Sequence, residues 1–243
     1  KVLGNGRRIS AWPARGGPVV ADGVVYFAAG IWPFMGTFIH ALDAETGKVV
    51  WTNDGTGSLF GPVPHAVAFG SIAPQGAMAV VGDKLLVPGG RSVPACLDRG
   101  TGKLLYCHLG GSRYFKIGKS ADRKLEGGSH VSAVGPFFFN HRGINTAVYD
   151  VDTGQMIHLW RDTTYPVLTE EVCYMSGNPI TAYSLKDPKL AIIGADGRKK
   201  KRWQLKKLWE CPVDATAGLI KAGGRLYAGG KGSVAAIDIP KPG

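Results

Sequence analysis

The chain predicts an all-β fold assembled from propeller-type blades of about four strands each. Three observations predict it: one phrase recurs along the chain, apolar residues follow strand period, and turn residues are abundant. The phrase reads "ALDAETGKVVW" at 41–51, "CLDRGTGKLLY" at 96–106 and "VYDVDTGQMIH" at 148–158. Its Asp recurs at Asp43, Asp98 and Asp150, and the series continues in looser form at Asp196 and Asp238. A fixed recurrence of this length marks a repeat architecture. Helical periodicity is nearly absent, while runs of four to eight apolar residues end at turn signals. Gly 36 and Pro 15 of 243 residues make about a fifth of the chain, which favours tight turns over helices.

Each element follows from its local chemistry. A strand–turn–strand phrase precedes each Asp phrase: "VVADGVVYFAAG" (19–30), "AVVGDKLLVPGG" (79–90), "SAVGPFFFNHRG" (132–143), "YSLKDPKLAIIG" (183–194) and "LIKAGGRLYAGG" (219–230). This gives five repeats, each with three readable strands and room for a fourth. In D-x-x-T-G the Asp accepts backbone N–H bonds two or three residues on, and the Gly takes the left-handed conformation that closes the turn. Asp43, Thr46 and Gly47, then Asp98, Thr101 and Gly102, then Asp150, Thr153 and Gly154 are therefore read as turn-forming residues rather than a catalytic set. Eight residues past the Asp stand Trp51 and Tyr106, with His158 in the third repeat and Trp160 just beyond. An aromatic at a fixed point of each blade can plug against the next, burying apolar area at about 25 cal/mol per Å².

These residues carry a resemblance. Ala41–Trp51 matches A-x-D-x-x-T-G-K-x-x-W throughout and resembles the tryptophan-docking repeat of the PQQ-like β-propellers, quinoprotein and BamB-like. The resemblance covers essentially the whole chain as one domain, 1–243, and is specific for fold rather than function. It implies blade docking by the phrase residues and an extracytoplasmic, bacterial (periplasmic or secreted) location. Relatives carry up to eight blades. The start at Lys1 and the incomplete last repeat lead us to expect a part of a larger ring, closed by further blades or another chain.

In the quinoprotein dehydrogenases the resemblance implies adjacent cysteines stacked on the quinone, a calcium ion held by carboxylates and amides, and an Asp base. No two cysteines are adjacent here. Cys96, Cys107, Cys173 and Cys211 form no C-x-x-C. Cys96 and Cys107 flank one predicted turn, which leaves a disulfide and a pair of free thiols both open. Nothing in the Asp, Asn and Glu spacing singles out a calcium set. The expected cofactor is therefore none, with PQQ and calcium kept as the alternative.

Other chemistry finds little purchase. Gly118-Lys119-Ser120 has Arg113 where a P-loop needs glycine. No G-x-S-x-G, H-E-x-x-H or S-x-x-K occurs. Glu170 and Glu171, with Asp162 nearby, are expected in a long inter-blade loop as a solvated cluster. They would serve a glycosidase only as a carboxyl pair at about 5–9.5 Å in a groove. His130 and His141 bracket a strand, a placement commoner for structural than for metal-bound histidines. Residues 55–82 hold no Asp, Glu, Lys or Arg, but Pro62, Pro64 and Pro74 interrupt the run, so no membrane span is expected.

Two features point to partners. The net charge is +11, which favours acidic ones. "RKKKRWQLKK" (198–207) packs seven cations and one Trp into ten residues, so Arg198, Lys199, Lys200, Lys201, Arg202 and Trp203 are candidate contacts to phosphate, sulfate or uronate groups. A nucleic-acid partner is not expected, because no nucleic-acid motif accompanies the run. Long connections at 31–37, 53–70, 110–130 and 161–178 exceed what a tight blade needs, and scaffolded loops are where binding concentrates. Trp32 and Phe34, with Met35, are bulky for a loop and are candidate protein contacts. The expected function is a non-catalytic scaffold that binds a protein or an acidic polysaccharide through its loops. The alternative is a quinoprotein dehydrogenase or a fragment of one.

Overall fold

The computed structural model describes residues 1–4, 6–31, 35–55, 59–62, 67–70, 72–89, 92–108, 128–142, 145–161, 165–186, 189–193 and 200–240. Among them there is no α-helix, and every regular element is a β-strand. The chain divides into two compact units, Lys1–Ala133 with Val151–Gly154, and Val134–Asp150 with Gln155–Gly243.

The first unit opens with a hairpin, β1 (Val2–Gly4) and β2 (Arg7–Ile9). A four-stranded antiparallel sheet follows: β3 (Ala14–Ala21), β4 (Val24–Ala29), β5 (Phe38–Asp43) and β6 (Val49–Asn53), paired in chain order. A short hairpin, β7 (Leu59–Pro62) and β8 (Val67–Gly70), separates it from the second sheet. That hairpin occupies part of the charge-poor run. The second sheet repeats the meander with β9 (Ala79–Val81), β10 (Lys84–Gly89), β11 (Ser92–Asp98) and β12 (Leu104–Tyr106). The first sheet turns Tyr26, Ala28, Ile39 and Ala41 onto Leu85, Val87, Ala95 and Leu97 of the second, all buried. We call the face used by the earlier sheet its leading face and the one used by the later sheet its trailing face. Alternation along each strand fixes which residues fall on which.

The second unit uses the same packing twice. Its first sheet, the third of the chain, joins β13 (His130–Val134), where the first unit ends, to β14 (Phe137–Arg142), β15 (Asn145–Asp150) and β16 (Met156–Arg161). Phe137, Phe139 and Val148 lead onto Cys173 and Met175 of the fourth sheet. Tyr174, Ile180 and Ala182 of the fourth then lead onto Leu219, Leu226 and Ala228 of the fifth. The fifth sheet has three strands, β23 (Gly218–Ala222), β24 (Arg225–Gly230) and β25 (Ser233–Asp238).

The fourth sheet corrects the reading of the repeat. Its strands are β17 (Val167–Leu168), β18 (Val172–Met175), β19 (Ile180–Ser184) and β22 (Lys207–Cys211). Part of the expected loop at 161–178 is therefore the opening hairpin of this blade, and Glu170 and Glu171 lie in its β17–β18 turn. "YSLKDPKLAIIG" is not an opening hairpin, and Asp196 lies outside the described residues. Ser184 holds the place of Asp43: its N–H donates to Lys206 O at 2.8 Å, as Asp43 N–H does to Lys48 O at 2.8 Å. Trp209 pairs with Ala182 as Trp51 pairs with Ala41. Between β19 and β22 the chain makes an inserted hairpin, β20 (Lys189–Ile193) and β21 (Lys200–Gln204).

Candidate partner-binding surface

The turns at Asp43 and Asp98 tie each Asp to the Thr and Gly of its own phrase. Thr46 donates its N–H to Asp43 Oδ1 at 2.7 Å and its hydroxyl to the same oxygen at 2.6 Å. Thr101 repeats both bonds to Asp98 Oδ1 at 2.7 Å. Gly47 and Gly102 close the turns with φ of 68° and 72°, donating to Asp43 O and Asp98 O. The threonine hydroxyl bonds, followed by the backbone N–H bonds, hold both carboxyls below their ordinary range. Each carboxylate is occupied by its own turn.

The aromatics reach the next turn. Trp51 Nε1 donates to Arg99 O at 2.9 Å, and Asn53 Nδ2 donates to Gly102 O at 2.6 Å. The Tyr106 hydroxyl donates to Val151 O at 2.8 Å, and His108 Nε2 lies 2.8 Å from Thr153 O. Lys84 spans to Asp152 at 3.0 Å.

The inserted hairpin is the surface that the turns do not explain. Elsewhere the third and fourth strands are joined by the short D-x-x-T-G turn. In the fourth sheet the joint becomes residues 185–206, which hold eight Lys and Arg against Asp187 and Asp196. That stretch carries a net +6 of the chain's +11. Its base is anchored, because Leu185 and Leu205 are both buried in the cluster with Cys173, Met175 and Trp160. In the β20–β21 ladder Leu190 stands opposite Trp203, Ala191 opposite Arg202, Ile192 opposite Lys201 and Ile193 opposite Lys200. Arg198 and Lys199 lie outside the described residues. At the base, Lys186 pairs with Glu171 at 2.5 Å and Lys207 with Glu210 at 2.8 Å. The Glu210 bond raises the Lys207 pKa above its ordinary value.

The remaining candidates are dispersed. Trp32 and Phe34 lie outside the described residues, as does Asp162. Met35 is exposed, and its carbonyl accepts the Trp12 indole N–H at 2.7 Å. Glu171 is spent on Lys186. His141 Nδ1 lies 2.9 Å from the Thr146 hydroxyl, and His130 Nδ1 lies 3.1 Å from the Ser129 hydroxyl. Cys96, Cys107, Cys173 and Cys211 are free thiols, and Cys96 stands opposite Tyr106 rather than Cys107. No cluster of three or more His, Cys, Asp or Glu residues suited to a metal ion occurs among the described residues. No helix among them is long and apolar enough to cross a membrane.

This architecture defines the class, a β-propeller of PQQ-like repeats. A family model described as outer membrane protein assembly factor BamB matches residues 5–238, and the chain belongs to that family. BamB from Moraxella catarrhalis is similar at 13% identity and a TM-score of 0.56, over 93% of this chain. The chain spans 58% of that protein's length. A chain in the S. cerevisiae structure of Dbp5 bound to Nup159, Gle1, IP6 and ADP is similar at 8% identity and a TM-score of 0.51, over 89% of this chain and 52% of that one. Quinohemoprotein alcohol dehydrogenase from Comamonas testosteroni gives 14% identity and a TM-score of 0.49, over 90% of this chain and 40% of that one. No curated protein sequence matches the chain.

Proposed function

We propose that the protein is a non-catalytic, extracytoplasmic scaffold that holds an acidic partner, protein or polysaccharide, on the hairpin inserted at 185–206. The carrying observation is the concentration of charge. Seven Lys and Arg against two Asp, a net +5, sit in a single excursion between two core-anchored leucines, on a sheet whose counterparts turn back at once. Like charges gathered at one place repel one another, and an anionic surface relieves that repulsion. Trp203 adds an aromatic ring to the basic run. Membership of the BamB family supports the location, and the Moraxella protein's description as BamB supports a protein partner.

The test is binding of fluorescent polyglutamate and polygalacturonate to the whole chain, followed as salt is raised. A variant with Arg198, Lys199, Lys200, Lys201 and Arg202 all changed to Gln is the comparison. At about 0.5 kcal/mol per exposed ion pair, losing five weakens binding at least tenfold. The intact chain should weaken steeply with salt, because exposed charges are screened. Equal affinity of the two proteins would remove the hairpin from the function.

A further inference from the structure

The inserted hairpin is a sheet of its own. β20 and β21 pair through consecutive residues, from Lys189 opposite Gln204 to Ile193 opposite Lys200, with no shift of register. Among the described residues no third strand joins them. A two-stranded hairpin alone is only marginally stable in water, and a third strand supplies the missing ladder. The two strands are not equivalent. β21 lies against β16, the last strand of the third sheet, within the same compact unit. That leaves β20 to offer its second row of backbone N–H and C=O groups. Its sequence, KLAII, suits an added strand, with Ile at two positions, no Pro and a single charge.

Charge decides the occupant. The ladder sets Lys200, Lys201 and Arg202 opposite Ile193, Ile192 and Ala191, so β20 carries no charge beside them. By alternation Lys200 and Arg202 fall on one face of the ladder and Lys201 on the other. A strand added to β20 would stand two strand spacings, about 10 Å, from β21. Charges act over that distance at physiological salt. A second copy of the hairpin would bring a second net +6 to this edge and be repelled. A polysaccharide brings carboxylates but no row of peptide N–H groups at strand spacing.

We propose that β20 takes an extended acidic peptide segment of the partner as a third strand, joined by a backbone ladder and selected by the basic run. This rests on the acidic-partner reading above and narrows it to a protein strand. In such additions the backbone ladder gives affinity and the side chains give specificity.

The test measures binding of a short fluorescent peptide of alternating Glu and Val to the whole chain. Two analogues carry N-methyl groups on alternate residues, one analogue for each edge of the strand. Methylation removes the N–H and keeps every side chain. The variant with Arg198, Lys199, Lys200, Lys201 and Arg202 changed to Gln should bind the peptide roughly tenfold or more weakly. At least one methylated analogue should bind the intact chain weaker by a similar factor. Equal affinity of the peptide and both analogues overturns the added strand. It leaves the acidic-partner reading standing, because polygalacturonate binding tests that reading separately. If neither the peptide nor polygalacturonate binds, both fall. A chain that associates with itself at rising concentration, and dissociates when the peptide is added, gives β20 to a second copy and also overturns the proposal.

Discussion

Replacing Gly102 with Ala isolates the contact between consecutive blades. Gly102 lies at φ 72°, where an L-residue costs about 1–2 kcal/mol. Its missing side chain is also where the Trp51 ring sits: an added β-carbon would lie 2.7 Å from Trp51 Cδ2 and 2.8 Å from Cζ3. To admit it, the indole must move, straining its hydrogen bond to Arg99 O. A lost hydrogen bond costs about 1 kcal/mol, and overpacking about 1–3 kcal/mol. Gly47 is the internal control. It holds the same turn position at φ 68°, with nothing within 4 Å of an added β-carbon. Gly47→Ala should therefore lose only the backbone cost, and Gly102→Ala about 2–4 kcal/mol more. For a chain of this length that gap is roughly 4–16 °C in thermal midpoint. The assay is thermal and urea unfolding, followed by tryptophan fluorescence and far-ultraviolet dichroism. If Gly102→Ala is no worse than Gly47→Ala, the indole's seat on the next turn contributes nothing, and the docking role assigned to Trp51 and Gly102 fails.

Three further outcomes follow from the same geometry. Asp43 and Asp98 have carboxyl pKa values depressed by their threonine hydroxyls, so their stabilisation is present above the unfolded value of about 3.9 and is lost as pH falls through the folded one. Thermal midpoints measured from neutral pH into this acid range should fall less steeply for Asp98→Asn than for the parent. Burial pushes the Cys96 thiol up to about 11 and raises Cys173 further. At pH 8 the Cys96 thiolate is about a hundredfold scarcer than for a free cysteine, so a disulfide reagent should label neither residue until urea unfolds the chain. Finally, a titration with pyrroloquinoline quinone and Ca²⁺ should give no saturable quenching of the six tryptophans. Calcium-dependent saturation would restore the dehydrogenase alternative.

The parts of the fold that could be read from sequence are those with strong local chemistry. Asp43, Asp98 and Asp150 each sit at the end of a third strand, because Asp, Thr and Gly together satisfy a turn within five residues. The fourth blade escaped because Ser184 replaces the Asp and the turn is displaced by an insertion. The attractive Asp196-Gly197 pair then drew the register forward. Two signals pointed the other way: "TEEVCYMSG" (169–177) fits an opening hairpin, and Trp209 stands where a docking aromatic belongs. The basic run was visible as composition, but its position between two core leucines was not, since burial of Leu185 and Leu205 depends on the third sheet.

The most direct test of the binding account replaces residues 187–203 with an Asn-Gly turn, leaving Leu185 and Leu205 in their core seats. If the hairpin is a separable binding element, the shortened chain keeps its thermal midpoint and loses polyanion binding. Undiminished binding by the shortened, folded chain would contradict the account.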